Sequence, residues 1–186
     1  MLKSELRKLF MEKRDQLSAA DWQLRNEALH HNVVQFFKDL PSNQTVASFL
    51  PIAHKKEIDT KHLHETLSSF PFLNQIVYPR VVSTRSMEFY RMESELEVEI
   101  SAWGIPEPKE NPVNCVVPEE IDVMLVPLLA FDAKGHRVGY GKGFYDQYLL
   151  RCSPKMIKIG LSLFAEPVVI DDIEKTDIAL DSIIFP

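Results

Sequence analysis

The chain contains the run Ile121-Asp122-Val123-Met124-Leu125-Val126-Pro127 and, shortly after it, Arg137-Val138-Gly139-Tyr140-Gly141-Lys142-Gly143-Phe144-Tyr145-Asp146. Together these two stretches predict the fold. The first is mostly apolar, as expected of a strand buried in a parallel sheet. The second places glycines at alternate positions, and residues at helical spacing follow it: Tyr145, Tyr148, Leu149 and Cys152. A glycine-rich segment, residues 139–143, therefore joins a buried strand to a helix, and we call it the glycine loop.

The glycine loop has the composition of a phosphate-binding segment. Glycine accepts positive φ and lets a ligand come close to the backbone, so successive N–H groups can converge on an anion. Lys142 adds a mobile positive charge, and Arg137 can add a bidentate one. Asp146 is suited to Mg²⁺, which takes few protein carboxylates and keeps several waters. The segment predicts a nucleotide-phosphate loop that opens a helix.

Spacing alone leaves a second interpretation open. A tight turn between a strand and a helix also needs glycines, and Asp146 would then only favour the helix N-terminus. The segment is not a Walker A loop, because G-x-x-x-x-G-K-[ST] does not occur. It is not a dinucleotide fingerprint either, because its third glycine comes one residue too early.

The remaining elements indicate an α/β fold. Helices are expected at about 2–18, from a candidate cap at Asp21 to about 40, and at 60–69 with Asp59 or Thr60 as cap. Strands are expected at 46–50, 75–82, 87–92, 157–163 and 181–185. The apolar run that begins at Ile121 continues through 132, and residues 103–118 are predicted to be irregular. Alternating strands and helices predict a single domain, residues 1–186, whose central sheet is mainly parallel and flanked by helices.

Composition excludes several classes of protein. The formal net charge of −6 disfavours extensive nucleic-acid binding, although a local basic pocket remains possible. Two cysteines, Cys115 and Cys152, do not make a disulfide framework. No signal peptide and no apolar run of membrane-spanning length is visible. We therefore expect a cytoplasmic protein, monomeric, that binds neither nucleic acid nor membranes.

The first predicted helix carries a basic set of side chains. Lys3 and Arg7 are four residues apart and share one face, and Arg14 lies two turns further along. Such a set can meet a polyphosphate, but a solvated basic face is the commoner meaning of a terminal helix. The histidines show no metal-ligand spacing: His62 and His64 fall on different helix faces, and a turn residue is the simpler reading of His136.

The order of several motifs resembles the 5-formyltetrahydrofolate cyclo-ligase family. The blocks are Phe49-Leu50-Pro51 with Glu57-Ile58-Asp59-Thr60, Tyr78-Pro79-Arg80, Met87-Glu88-Phe89-Tyr90, Trp103-Gly104-Ile105-Pro106-Glu107-Pro108, Val126-Pro127-Leu128-Leu129-Ala130-Phe131-Asp132, Gly135-His136-Arg137 and Gly143-Phe144-Tyr145-Asp146. They cover most of the chain. The glycine block is highly specific, and the Trp103–Pro108 block moderately so.

The resemblance implies a site for ATP, a reduced folate and Mg²⁺. The residues it places at ATP are Lys3, Arg7, Arg137, Gly139, Tyr140, Gly141, Lys142, Gly143, Phe144 and Tyr145. Those it places at 5-formyltetrahydrofolate are Leu50, Glu57, Trp103, Tyr140, Gly141, Lys142, Gly143 and Phe144. Asp146 and Asp177 are implied as metal ligands, and Lys142, Arg137 and Tyr145 as catalytic residues.

The implied reaction is ATP-dependent cyclisation of 5-formyltetrahydrofolate to 5,10-methenyltetrahydrofolate, with ADP and phosphate released. The formyl oxygen attacks the γ-phosphate, and N10 then closes the ring on the resulting iminium phosphate. The chain departs from the family's pattern at Thr176, where many relatives carry His, and at Tyr140, where some carry Arg. A folate- or nucleotide-binding protein without turnover is one rival, and a sugar-phosphate isomerase or acyl-transfer enzyme of related architecture is another.

Overall fold

The fold is taken from a computed structural model, which describes residues 1–71, 73–94, 97–102 and 104–186. The α-helices are α1 Lys3–Asp15, α2 Ala19–Lys38, α3 Thr60–Ser68 and α4 Phe144–Leu149. The strands are β1 Gln44–Ala47, β2 Leu73–Val81, β3 Met87–Arg91, β4 Val98–Ile100, β5 Pro106–Pro108, β6 Cys115–Val116, β7 Val123–Pro127, β8 Ala130–Phe131, β9 Arg137–Val138, β10 Ile157–Leu161 and β11 Ser182–Ile184. The predicted α/β class is confirmed.

A seven-stranded sheet in the order β11-β10-β7-β1-β2-β3-β6 forms the centre of the fold. The pairs from β11 through β2 are parallel, whereas β2–β3 and β3–β6 are antiparallel. Two separate two-stranded ribbons are formed by β4 with β5 and by β8 with β9. The sheet is therefore mainly parallel, as predicted, with an antiparallel edge.

Strand β7 shows why the sheet is covered on both faces. Side chains alternate across a strand, so Val123 and Leu125 pack into one core cluster while Met124 and Val126 pack into the other. Helices α1, α2 and α3 contribute apolar residues to the first cluster. Helix α4 contributes Tyr148 and Leu149 to the second. A strand with both faces buried has to be apolar throughout, which is the pattern seen in the sequence.

The N-terminal caps of α2 and α3 can be compared with the caps predicted from the sequence. Helix α2 is capped by Ser18, whose hydroxyl accepts from the Asp21 backbone N–H at 3.0 Å. Asp21 is therefore a first-turn residue and not the cap, so the prediction was wrong at this position. Asp59 caps α3 by accepting from His62 N–H, which is one of the two predicted alternatives.

The long apolar run 121–132 is not one strand. β7 ends at Pro127, and β8 then pairs with β9 in a separate hairpin. Asp132 closes its turn by accepting from the backbone N–H groups of Lys134 and His136, and from the His136 ring at 3.0 Å. Gly135 in this turn has φ +87°, and a Cβ there would lie 2.5 Å from the Leu180 carbonyl oxygen. The turn role predicted for His136 agrees with this geometry.

The segment predicted as irregular, 103–118, contains two short strands. β5 pairs with β4, and β6 pairs with β3 as the last strand of the main sheet. The prediction failed there because prolines lower strand propensity, and both strands lie at edges where proline is tolerated. Trp103, expected to line the ligand site, lies outside the described residues. Among the described residues, no helix combines the length and apolar character needed to cross a bilayer.

Candidate active site

The glycine loop leaves β9 and ends at the start of α4. Gly141 and Gly143 have φ of +87° and +72°, a region that favours glycine, whereas Gly139 has an ordinary φ. Gly141, Lys142 and Gly143 are exposed, so the loop presents its backbone and the lysine to solvent. The alternate glycines are therefore needed for the backbone path at two positions.

Arg7 connects α1 to the glycine loop. Its Nε donates to the Gly139 carbonyl oxygen at 2.8 Å. A Cβ at Gly141 would lie 3.0 Å from the Arg7 guanidinium, so the lack of a side chain there lets the arginine lie against the loop. The structure thus brings together Arg7, Gly139 and Gly141, three residues predicted to contact ATP.

Beneath the loop, Arg137 forms an ion pair with Asp146. Arg137 Nη2 donates to Asp146 Oδ1 at 2.8 Å, and Nη1 donates to the Ile178 carbonyl oxygen at 2.8 Å. The Arg137 side chain is only 7% exposed and that of Asp146 is 26% exposed. Asp146 Oδ1 also accepts from Ile178 N–H at 3.1 Å, so the pair is tied to the C-terminal segment.

A second ion pair joins the two ends of the chain. Lys3 Nζ donates to Asp177, and Lys3 N–H donates to Asp172 at 2.7 Å. Burial would raise the pKa of Asp177, but hydrogen bonds from Lys3 and Glu174 N–H and the charges of Lys3 and Arg137 lower it. We call Lys3, Arg137, Asp146 and Asp177 the ion-pair cluster, since each cation in it has a carboxylate partner.

On the other side of the loop, Glu57 is buried at 7% exposure. Its Oε2 accepts from Ile52 N–H at 2.7 Å, and its Oε1 accepts from the Tyr140 hydroxyl. Arg14 Nη2 in turn donates to the same hydroxyl at 2.8 Å. Burial and the Glu57 carboxylate raise the pKa of Tyr140, which therefore stays protonated and donates to Glu57. We call Arg14, Glu57 and Tyr140 the tyrosine cluster.

Arg14 is the residue whose role the sequence left unresolved. It is 6% exposed, although its neighbours Lys13 and Asp15 are exposed. Leu6 and Phe10 precede it at steps of four on the buried face of α1. That spacing is visible in the sequence, and it was the signal that would have predicted a buried arginine.

Tyr145, in the first turn of α4, has a hydroxyl whose pKa is raised. Burial raises the pKa of its hydroxyl, the Glu57 carboxylate acts in the same direction, and the Arg137 guanidinium opposes them. Phe144 and Tyr145, the first two residues of α4, pack half-buried against the second core cluster.

His64, which the sequence excluded as a metal ligand without indicating its burial, supports the segment before Glu57. His64 Nε2 lies 2.7 Å from Ser48 Oγ, and Ser48 directly follows β1, two residues before half-buried Leu50. Burial lowers the pKa of His64 to about 3, so the ring is neutral at physiological pH. Its placement four residues after Thr60, on the inner face of α3, was the available signal.

The carboxylates of the ion-pair cluster fit Mg²⁺ only as part of a nucleotide complex. No group of three or more His, Cys, Asp or Glu side chains is arranged for a metal within the described parts of the chain. The ion pairs use Oδ1 of Asp146 and Oδ2 of Asp177, so each carboxylate keeps a second oxygen. Mg²⁺ requires only one or two carboxylates when phosphates and waters complete its shell.

The space enclosed by the tyrosine cluster is small. Arg14, Glu57 and Tyr140, with apolar neighbours that include Phe49 and Leu129, line a cavity of about 20 Å³. A larger groove of about 540 Å³ lies along α1, and its lining includes Leu6, Phe10, Arg25 and Val168 but none of the predicted site residues. The part of the predicted site that is lined by the tyrosine cluster is therefore too small for a substrate.

Comparisons with known proteins identify the family of this chain. A model described as the 5-formyltetrahydrofolate cyclo-ligase family matches residues 1–186. The 5-formyltetrahydrofolate cyclo-ligase of Mycoplasma pneumoniae is 30% identical over 164 residues, covering 87% of this chain and 85% of that protein. A solved 5,10-methenyltetrahydrofolate synthetase from Mycoplasma pneumoniae superposes with a TM-score of 0.77 at 27% identity, covering 100% of this chain and 99% of that one. The synthetase of Aquifex aeolicus gives 0.71 at 34% identity, covering 99% and 89%. The chain therefore belongs to the 5-formyltetrahydrofolate cyclo-ligase family.

Proposed function

We propose that this enzyme converts 5-formyltetrahydrofolate and ATP into 5,10-methenyltetrahydrofolate, ADP and phosphate. The family membership supports the reaction. The supporting observation in the structure is that the glycine loop adjoins two chemically different clusters: it follows Arg137, which pairs with Asp146, and it carries Tyr140, which donates to Glu57. Cations in one cluster suit phosphates, whereas the buried carboxylate of the other suits the N–H donors of a pterin.

The chemistry proceeds in two steps without a covalent enzyme intermediate. The N5-formyl oxygen attacks the γ-phosphorus of ATP, and the bond between that phosphorus and the β–γ bridging oxygen breaks to release ADP. The formyl carbon becomes an electrophilic iminium carbon. N10 then attacks it and loses its proton, and the carbon–oxygen bond breaks to release phosphate. The enzyme has to align oxygen and phosphorus and stabilise the moving negative charge.

The cations around the loop differ in position. Lys142 lies in the exposed part of the loop, where a γ-phosphate can approach it. Arg7 is held by the Gly139 carbonyl oxygen, and Arg137 is held by Asp146. We assign Lys142 to the transferred phosphate, and Arg7, Lys3 and Arg137 to the polyphosphate as donors that are already held in place. Such preorganised charges act without reorganising during the reaction.

Asp146 and Asp177 are the residues that would hold Mg²⁺ on the nucleotide. The ion would neutralise phosphate charge during transfer. Arg137 and Lys3 pair with the same carboxylates, which compensates the charge of two half-buried acids.

The test is absorbance of the product. The methenyl compound has a conjugated cation that the formyl substrate lacks, so its near-ultraviolet absorbance rises as it forms. We expect the rise only when protein, 5-formyltetrahydrofolate, ATP and Mg²⁺ are all present, with one phosphate released for each product molecule. Samples that omit one component at a time, and one with EDTA, are the controls.

A folded protein that shows no rise but binds folate or ATP in calorimetry would be a binding protein without turnover. If neither ligand bound, the family likeness would reflect fold alone. The sequence-based expectations that the protein is cytoplasmic, monomeric and indifferent to nucleic acid and membranes stay predictions, and light scattering of the purified protein tests the monomer.

A further inference from the structure

Arg14 has a buried donor that nothing in the described structure uses. Its side chain lines the small cavity beside Glu57, and its Nε is inaccessible to solvent with no hydrogen-bond partner among the described residues. Leaving a buried polar group unpaired is costly, and a charged one is more so. A buried arginine with an unused N–H at the wall of a site indicates that a ligand atom completes its hydrogen bonds.

The Tyr140 hydroxyl shows which chemistry fits between Arg14 and Glu57. The hydroxyl donates to Glu57 Oε1 and accepts from Arg14 Nη2 at 2.8 Å. A ligand edge in its place must likewise offer a donor next to an acceptor. The pterin ring has such an edge, where a ring N–H adjoins a carbonyl oxygen, and the N–H suits a carboxylate while the oxygen suits a guanidinium.

The size of the cavity requires Tyr140 to leave before a pterin can enter. The enclosed space of about 20 Å³ holds roughly one water. Pockets for small molecules have volumes of roughly 300–1,000 Å³. Tyr140 lies on the glycine loop between Gly139 and Gly141, and the loop beyond it is exposed. Its side chain is therefore the wall that can move with the least disturbance to the core.

We propose that Arg14 is a substrate-binding residue which, together with Glu57, recognises the donor–acceptor edge of the pterin, and that the Tyr140 hydroxyl holds the place of that edge until the substrate arrives. The proposal rests on the proposed function and adds to it a residue from α1. On binding, Tyr140 swings out, the pterin N–H donates to Glu57, and the pterin oxygen accepts from Arg14.

The first test separates the two substrates. Arg14→Met should raise the KM for 5-formyltetrahydrofolate roughly 10- to 100-fold, the usual loss for a hydrogen bond to a charged group, and leave the KM for ATP within about twofold. Lys13→Met removes the same charge from the adjacent, exposed position of α1 and should leave both KM values unchanged. Arg14→Lys, which keeps the charge but loses the planar fork, serves if Arg14→Met does not fold, and should also raise only the folate KM.

The second test asks whether Arg14 acts directly or through Tyr140. Tyr140→Phe removes the placeholder hydroxyl, so 5-formyltetrahydrofolate should bind several-fold more tightly in calorimetry without ATP. Arg14→Met should still weaken folate binding by about the same factor in the Tyr140→Phe background. If that factor disappears there, Arg14 only positions Tyr140 and the proposal is wrong.

The outcomes also separate this inference from the proposed function. If the wild-type protein neither binds 5-formyltetrahydrofolate nor turns it over, the proposed function fails and the inference fails with it. If the wild-type protein works while Arg14→Met and Arg14→Lys keep a normal folate KM, only the inference is overturned.

Discussion

The ion-pair cluster and the tyrosine cluster handle charge in opposite ways. In the ion-pair cluster each cation contacts a carboxylate directly, Lys3 with Asp177 and Arg137 with Asp146. In the tyrosine cluster the guanidinium of Arg14 and the carboxylate of Glu57 are joined through the Tyr140 hydroxyl, and Arg14 keeps an unused donor.

The difference indicates two modes of ligand binding. A cluster whose charges are paired is stable by itself and offers a phosphate donors that are already held in place. A cluster with an unpaired donor is incomplete until a ligand of matching hydrogen-bond pattern arrives, which favours selectivity over affinity. The glycine loop contributes to both, because it follows Arg137 and carries Tyr140.

Arg137→Met should produce the largest effect, because it breaks the buried pair of the ion-pair cluster. We expect the free energy of unfolding to fall by about 3 kcal/mol, and turnover to be lost as well. Arg151→Met is the matched control, since Arg151 forms a bidentate ion pair with Glu88 but its side chain is 47% exposed. The free energy of unfolding of Arg151→Met, measured by urea denaturation, should be lower than that of the wild type by less than about 1 kcal/mol. Equal losses in the two variants would show that the Arg137 pair contributes no more than a surface pair.

Lys142→Ala should abolish most turnover without affecting the fold. We expect kcat to fall roughly 100- to 1,000-fold, because one electrostatic donor to the transferred phosphate is lost. Lys142 is exposed, so the melting temperature should hardly change. Lys155→Ala, another exposed lysine, is the control for charge. Near-normal kcat in a folded Lys142→Ala protein would remove Lys142 from the chemistry.

Lowering the pH should affect His64, which lies near the tyrosine cluster, before it affects Asp177 of the ion-pair cluster. His64, beneath the segment that leads to Glu57, has a pKa lowered from 6.5 to about 3, so stability decreases as pH falls below 6.5. At pH 5 the expected loss is about 2 kcal/mol, from about 1.4 kcal/mol per pH unit. The pKa of Asp177 is lowered from 3.8, so its contribution persists at pH 5 and is lost only in stronger acid.

Urea denaturation at pH 7.5 and pH 5.0 measures this difference. The loss of stability between the two pH values should be about 2 kcal/mol smaller in His64→Gln than in the wild type. His31→Gln, at an exposed position of α2, should behave like the wild type. The same acid response in all three proteins would assign the effect to other groups.

The glycine loop itself should show the smallest effect. Gly143→Ala puts a Cβ on a residue with φ +72° and should reduce stability by about 1 kcal/mol. Gly139→Ala is the matched change at an ordinary φ, where a Cβ would have no heavy atom within 4 Å, and should be close to neutral in thermal denaturation. If Gly139→Ala were the more destabilising of the two, the loop path described above would be incorrect.

Local chemistry made much of the molecule predictable from sequence. The glycine loop was placed between a strand and a helix because alternate glycines and apolar periodicity are local signals. The order of strands and helices gave the α/β class for the same reason. Helix α1 and its basic residues Lys3 and Arg7 followed from a periodicity of four.

Pairing and packing required the tertiary structure. The edge strands β5 and β6 escaped prediction because they lie in a proline-rich segment, which can pair only at an edge, and edges are defined by distant partners. The apolar run that seemed to be one strand is divided at Pro127 because the β8–β9 hairpin pairs with itself.

The sequence by itself determined the family, the α/β class and the position of the glycine loop between a strand and a helix, because these follow from motifs and from periodicity that is local in the chain. Only the tertiary structure decided which charges neutralise one another. Lys3 meets Asp177 across almost the whole chain, and Arg14 on α1 donates to Tyr140, which in turn donates to Glu57. Long-range contacts of this kind depend on how the helices and strands pack, so the unused donor of Arg14 becomes visible only in the folded protein.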